Sequence, residues 1–269
     1  MSFKEKVLKI VSKISVGKFL TYKQVARLVG NEKAFRVVGN LMMKNKDKNI
    51  PCHRVIKSDY TVGEYLGRKD FDWLKAALLL KEGAIGVIPT DTIYGICTSA
   101  FNKKSVEKVY KLRKRNPKKP CIILISDIRE LKLFKIQLQD WQKEILKKIW
   151  PSRISVIFPC KSEKFTYLHR GTITLAFRSP KDKFILKILK ISGPLIAPSA
   201  NWEGYEPAKT INEAKKYFNN QVFYLDRGRL AGQPSTLIDL TQKEIKIIRR
   251  GADYDKLNKF LNSKALSIA

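Results

Sequence analysis

The sequence predicts two domains: a small, mostly α-helical helix-turn-helix (winged-helix-like) unit over residues 1–67, and a larger α/β unit with a twisted sheet over residues 74–252. Three observations carry that expectation. The first 67 residues place apolar side chains at helical spacing, with capping and terminating signals between them. From about residue 74 the pattern changes to short β-branched runs separated by helical segments. A chain of 269 residues with 44% hydrophobic content is also long and apolar enough to fill two cores.

Taken in order, "FKEKVLKIVSKI" reads as an amphipathic helix that Gly17 ends. In "TYKQVARLVG", Thr21 is placed as N-cap, Gln24 as the third residue of a capping box and Gly30 as terminator. After a short turn, "EKAFRVVGNLMMKN" is a second helix rich in Arg, Lys and Asn, which completes a helix-turn-helix pattern. The charged "GRKDFDW" marks the join, with residues 68–73 as linker. Strands are expected in "AIGVIPT", "PCIILIS", "RISVIFP", "TITLAFR", "GPLIAPS", "QVFYLD", "STLIDL" and "EIKIIRR". Helices are expected between them in "KKSVEKVYKLRKR", "LQDWQKEILKKIW", "KFILKILKI" and "INEAKKYF", and residues 253–269 form a C-terminal tail.

Composition narrows the function classes without choosing one. With 54 Lys+Arg against 24 Asp+Glu the formal charge is +30, which suits a polyanionic partner and equally suits solvated lysine faces. Cys52, Cys97, Cys121 and Cys160 are far apart, with no CxxC pair or metal-ligand spacing. That pattern argues against a disulfide framework or a structural metal and suits a reducing cytosol. The longest apolar runs are strand-sized, and the N-terminus lacks the apolar core of a signal peptide. The chain is therefore expected to be soluble and cytoplasmic, with no membrane contact.

Two sets of motifs carry chemistry. In "NIPCHRVIKS", Cys52 and His53 stand together in a chain with only two histidines. "GKFLTYKQVARLVG", "AFRVVGNLM" and "IPCHRVIKSDYTVGEYLG" resemble the DNA-binding and active-site domain of O6-alkylguanine-DNA alkyltransferases. The resemblance implies that Cys52 accepts the alkyl group irreversibly and that His53 draws off its proton through a water. It implies further that Arg36 inserts into the duplex, that Tyr22 presses on the phosphate that rotates, and that Glu82 of "LLLKEG" orients His53. Double-stranded DNA is then the partner. A free thiol of pKa about 8.5 is mostly protonated at neutral pH, so such a cysteine needs a neighbouring imidazole. The guanine must also leave the stack. Tyr60 replaces a family glycine in a turn near the pocket, and Asn45-Lys46 replaces the usual Asn-Pro. Three extra residues precede Glu82, and its helix also opens the next domain; one helix is not expected to serve both cores.

The second set runs in order to residue 251: "LLKEGAIGVIPTDTIYGI", "KRNPKKPCIILIS", "WPSRISVIFP", "TITLAFRSP", "PLIAPSANWEG", "PSTLIDL" and "IIRRG". Together they resemble YrdC-type threonylcarbamoyl-AMP synthases. The resemblance implies that L-threonine, bicarbonate and ATP are joined into threonylcarbamoyl-adenylate with release of pyrophosphate, for the t6A modification of tRNA. By position Thr90, Arg178 and Ser235 would meet threonine, while Arg113, Arg115, Thr174, Ser199, Asn201 and Arg249 would meet ATP. Mg2+ is expected only as the counter-ion of ATP, and no tightly bound cofactor is implied. tRNA is a partner directly or through the later transfer proteins. Every reactant is anionic, so such a site needs fixed cations and donors rather than a strong nucleophile. Arg113 stands where a lysine is usual, and "WPSRIS" lacks the usual turn glycine and proline. His169 reads as a loop residue. The competing class is a non-catalytic double-stranded RNA, tRNA and DNA binder. The "PTDT", "PSAN" and "PST" set favours the enzyme.

Overall fold

The computed structural model describes residues 1–265; the last four residues of the expected 253–269 tail lie outside the described residues. Helix α1 (Phe3–Ser12) starts from Ser2, whose hydroxyl accepts from the Glu5 amide while the Glu5 carboxylate accepts from the Ser2 amide. Strand β1 (Leu20–Thr21) leads into α2 (Tyr22–Leu28), where the predicted box forms. The Gln24 amide donates to Thr21 Oγ1 at 3.1 Å, and the Thr21 amide donates to Gln24 Oε1 at 2.7 Å. Helix α3 (Phe35–Lys44) follows, and β2 (Val55–Ile56) pairs in parallel with β1. Val7, Val11, Val25, Val38 and Met42 close around Cys52 and Val55 in one small core.

The rest of the chain runs α4 (Asp72–Lys81), β3 (Gly86–Pro89), β4 (Tyr94–Ser99), α5 (Lys103–Leu112), β5 (Ile122–Leu124), α6 (Asp140–Ile149), β6 (Ile154–Pro159), α7 (Thr166–His169), β7 (Thr174–Arg178), α8 (Lys183–Ser192), β8 (Leu195–Ile196), α9 (Ile211–Phe218), β9 (Phe223–Tyr224), β10 (Thr236–Asp239), β11 (Lys246–Arg249) and α10 (Tyr254–Ala265). The strands form one nine-stranded mixed sheet in the order β11-β10-β6-β7-β5-β8-β4-β3-β9. Adjacent residues on a strand point to opposite faces, so each strand feeds two cores. Ile88, Cys97, Leu124 and Leu195 face α4 and α8. Val87, Ile96, Ile123 and Ile196 face the layer of α5, α6 and α9.

The domain boundaries differ from the expectation in three ways. Residues 68–73 are not an open linker, because a 3-10 turn at Lys69–Phe71 runs straight into α4. The helix α4 does serve both cores. Ala76, Ala77 and Leu80 pack with α8, whereas Lys75 and Glu82, seven residues apart on one stripe, face the Cys52 region. The described part of the expected tail, residues 253–265, is packed on the α/β unit: Leu257 of α10 is fully buried in the main core, and Asp253 pairs with Arg153 at 2.6 Å. Arg153 belongs to the altered "WPSRIS" stretch, so that departure anchors α10.

Further contacts fuse the two units. The Val62 amide donates to the Tyr224 carbonyl at 3.0 Å and the Tyr224 amide to the Tyr60 carbonyl at 2.9 Å, which lays residues 60–62 along the β9 edge. Arg227 donates two bonds to Asp72, at 2.6 and 2.8 Å. Gly17, at φ +76°, lies so close to the end of α4 that a Cβ there would sit 2.8 Å from the Glu82 carbonyl oxygen. That close approach, rather than helix termination alone, requires glycine.

Candidate functional sites

Pro51 precedes a 3-10 turn, Cys52–Arg54, and this turn aims the Cys52 thiol into a cavity of about 200 Å3. Tyr22, Met43, Glu64, Tyr65 and Lys75 line it. Asn45 Nδ2 lies 3.3 Å from the Cys52 sulfur, so the retained half of the altered dipeptide still donates to it. Burial raises the thiol above its usual range, while the Asn45 bond and the Lys75 charge pull it back.

Lys75 was not picked out from the sequence. Its ammonium is buried, donates to Tyr22 Oη at 3.3 Å and has its pKa driven down to about 7 by burial. The signal was a lysine inside the apolar run "WLKAALLL", on the same stripe as Glu82. Tyr22 lies inside the cavity, and burial pushes its phenol up to about 12.

His53 Nε2 is 2.9 Å from Glu82 Oε1, and Arg54 grips the same carboxylate with two bonds of 2.8 Å. Burial pushes the Glu82 carboxyl up, but the bonds from His53 and Arg54 outweigh it and hold the pKa at about 2. A carboxylate can only accept, so Nε2 carries a proton in this pair. Arg36 stands outside the cavity on the exposed side of α3, its guanidinium 5.8 Å from the Phe35 ring centroid. Tyr60 does not line the cavity. Its ring turns to the seam, meets Phe19 edge-on at 6.4 Å, and packs against both cores of the α/β unit. Its φ of +66° costs ~1–2 kcal/mol for a non-glycine residue, and ring burial at the seam offsets this.

A second cavity, of about 440 Å3, opens at the ends of β3, β7 and β10. It brings together seven residues picked from the sequence: Thr90, Arg115, Thr174, Arg178, Ser199, Ser235 and Arg249. Thr90 Oγ1 donates to the Ile93 carbonyl at 2.7 Å and accepts from the Thr92 amide, closing the "PTDT" turn. Arg178 donates to Asp91 Oδ1 at 2.8 Å and to Thr92 Oγ1 at 3.3 Å. Arg178 Nε and Asp91 Oδ2 are both buried without a protein partner. Burial raises the Asp91 carboxyl against the pull of Arg178. Arg249 reaches the Ser235 carbonyl at 3.0 Å and its hydroxyl at 3.2 Å, and burial lowers the guanidinium below its ordinary range. Arg115 donates to the carbonyls of Lys119 and Pro120, at 3.0 and 2.8 Å. The lining is thus cationic, with Asp91 neutralised behind Arg178.

Arg113 and Asn201, picked as direct ATP contacts, are not on the cavity wall. Arg113 is buried behind it and donates to Ser199 Oγ at 3.1 Å and to the Asn201 carbonyl at 3.1 Å, its pKa lowered to about 10 by burial. Asn201 Nδ2 donates to the carbonyls of Trp202 and Tyr205, both at 2.7 Å. The two residues brace the "PSAN" turn and so position Ser199. A planar fork can hold two turn oxygens at once, which the lysine usual at this position could not do with one nitrogen at the same geometry. Thr92, Asp91 and Lys119 were missed, although two of them stand inside "PTDT". His169 is buried at the end of α7, where Nδ1 accepts from the Gly171 amide at 3.2 Å. Among the described residues no group of three His, Cys, Asp or Glu side chains is placed to hold a metal ion, and no helix is long and apolar enough to cross a membrane.

A mixed sheet with helices on both faces and an arginine- and hydroxyl-lined cavity at its strand ends defines an α/β protein built to hold a small anionic ligand. The Sua5/YciO/YrdC family model, described as telomere recombination, matches residues 78–251, and the chain belongs to that family. It is 33% identical over 154 residues to the threonylcarbamoyl-AMP synthase of Bacillus subtilis, covering 56% of this chain and 44% of that one. To the threonylcarbamoyl-AMP synthase of Pyrococcus abyssi it is 29% identical over 180 residues, covering 65% and 53%. The crystal structure of Pyrococcus abyssi Sua5 complexed with L-threonine matches with a TM-score of 0.63 at 27% identity, over 68% of this chain and 54% of that one. The chain therefore spans about half the length of these relatives. A second model, the DNA binding domain of 6-O-methylguanine DNA methyltransferase, matches residues 2–84. The two matches overlap at residues 78–84, the end of α4 that carries Glu82.

Proposed function

We propose that the α/β unit is an L-threonylcarbamoyladenylate synthase. The observation that carries this reading is the convergence of Thr90, Arg178, Ser235, Arg115, Ser199, Thr174 and Arg249 on one cationic cavity. The threonine amine adds to bicarbonate to give a carbamate, with loss of water. A carbamate oxygen then attacks the α-phosphate of Mg-ATP, the bond to pyrophosphate breaks, and pyrophosphate leaves. With Nη2 of Arg178 held by Asp91 and Thr92, its unpaired Nε–H is left to donate one hydrogen bond to the threonine carboxylate. Arg115 and Arg249 take the phosphate charge, and Ser199, braced by Arg113 and Asn201, takes part of the nucleotide. The product is consumed in t6A modification of tRNA in the cytoplasm. Pyrophosphate release that needs L-threonine, bicarbonate and ATP together is the expected result. Tight tRNA binding without any such turnover would instead favour the binding protein.

The geometry at Cys52 favours a second reading for the N-terminal unit. Here α2 and α3 act as a winged-helix-like helix-turn-helix on double-stranded DNA, Arg36 enters the duplex, and a flipped O6-alkylguanine occupies the Cys52 cavity. The sulfur attacks the alkyl carbon, the carbon–O6 bond breaks, and guanine leaves with the proton that the thiol gave up, while Cys52 keeps the alkyl group. His53, fixed by Glu82, receives the thiol proton through water. Intact mass after incubation with an O6-methylguanine oligonucleotide tests this: a gain of one methyl group that Cys52→Ala abolishes. Damage-selective binding with no mass gain would make the module a reader of lesions.

A further inference from the structure

Next to the second cavity, and outside both sites above, lies a hollow of about 450 Å3 walled by Trp202, Tyr205 and Tyr217 and rimmed by Lys209, Lys216 and Arg229. The rings meet edge to face, with centroids 5.7 Å apart for Trp202–Tyr205 and 5.5 Å for Trp202–Tyr217. Lys114 Nζ covers one face of Trp202 at 3.5 Å from its centroid. Tyr205 nevertheless remains 61% exposed. Its backbone is held, because the Tyr205 amide donates to the Trp202 carbonyl at 3.1 Å and Asn201 grips both carbonyls. The turn that puts Ser199 into the second cavity thus presents Tyr205 to its neighbour.

Glu206 and Glu213 also line the hollow, but Glu213 accepts from the Lys209 amide at 2.7 Å and is held down by that bond and by nearby Arg229. The balance with Lys114, Lys209, Lys216 and Arg229 is cationic. A rigid, exposed aromatic platform inside a cationic rim matches the chemistry of single-stranded nucleic acid, whose bases stack while its phosphates meet the cations. We propose that Tyr205, braced by Trp202 and Tyr217, stacks a base of single-stranded RNA, with Lys209, Lys216 and Arg229 on the adjacent phosphates. This binding requires neither ATP nor threonine, so it stands apart from the synthase reading.

The test is fluorescence anisotropy of a labelled oligoadenylate RNA with the full chain carrying Arg36→Ala, which silences the N-terminal grip. Stacking one base is worth ~1–3 kcal/mol, so Tyr205→Ala should weaken binding about 5-fold or more while Tyr205→Phe retains it. Lys216→Ala should flatten the salt dependence. Equal binding by Tyr205→Ala and its parent overturns the proposal. So does full displacement of the RNA by AMP, which would mark a mononucleotide site, or equal affinity for a duplex of the same sequence.

Discussion

Glu82→Gln removes one negative charge from the seam and keeps its shape. In the native protein that carboxylate takes His53 at 2.9 Å and two Arg54 bonds at 2.8 Å, with its side chain 20% exposed. Its pKa falls from the ordinary 4.5 to about 2 in spite of burial. At ~1.4 kcal/mol per pKa unit this is on the order of 3 kcal/mol, an upper figure for a group that water still reaches. Removing one partner of a buried pair costs ~3–5 kcal/mol, so ~2–3 kcal/mol is expected here. The folded pKa lies below the unfolded one. The contribution is therefore complete above about pH 5 and fades as the pH falls towards 2. Urea unfolding followed by tryptophan fluorescence should show the variant ~2–3 kcal/mol less stable at neutral pH, with the gap closing in acid. Because α4 belongs to both cores, the loss should appear in one cooperative transition. A loss below ~0.5 kcal/mol at neutral pH, or a gap that ignores pH, would refute the account.

Four further outcomes are expected, from three variants. Lys75→Met should raise stability at about pH 6, because the buried ammonium, with its pKa near 7 against 10.5 in the unfolded chain, makes native stability climb with pH across that window; the advantage should vanish near pH 10. The same variant should slow iodoacetamide labelling of Cys52 at neutral pH, since the thiolate loses its nearest cation, and faster labelling would count against the role. Arg178→Ala should lower pyrophosphate release by ~10²-fold or more with an unchanged circular dichroism spectrum, and a change under ~3-fold would remove Arg178 from the threonine site. Tyr60→Gly should relieve ~1 kcal/mol of backbone strain yet lose more in packing, for a net cost of ~1–2 kcal/mol, with alkyl acceptance unaltered; faster acceptance would show that Tyr60 obstructs the cavity.

Local signals were the legible ones. The Thr21–Gln24 box joins residues three apart and needs nothing beyond its own turn. The β-branched runs became strands within two or three residues of their expected places, because branched side chains favour the extended backbone even where, as in β11, every residue stays exposed. β4 escaped notice because Gly95, Cys97 and Ser99 alternate with its two branched residues, Ile96 and Thr98, and break up the run. Gly95 is there because a Cβ would press on Thr90, Cys97 and the Pro198 carbonyl, a packing demand invisible in the strand's own pattern.

The sequence by itself determined the order of elements, the caps, and the residue types of the two cavities. Those follow from short-range periodicity and from motif spacing along one chain. Only the tertiary structure decided which way each side chain faces. It buried Lys75 beside Cys52, kept Glu82 on His53 although its helix also packs on α8, and turned Tyr60 into the seam. It also set Arg113 and Asn201 behind the cavity wall, with Arg178 and Arg249 on it. The physical reason is the same in each case: direction depends on the neighbour a side chain is pressed against. Those neighbours come from segments distant in sequence, as residues 60–62 on β9 and Asp253 on Arg153 show.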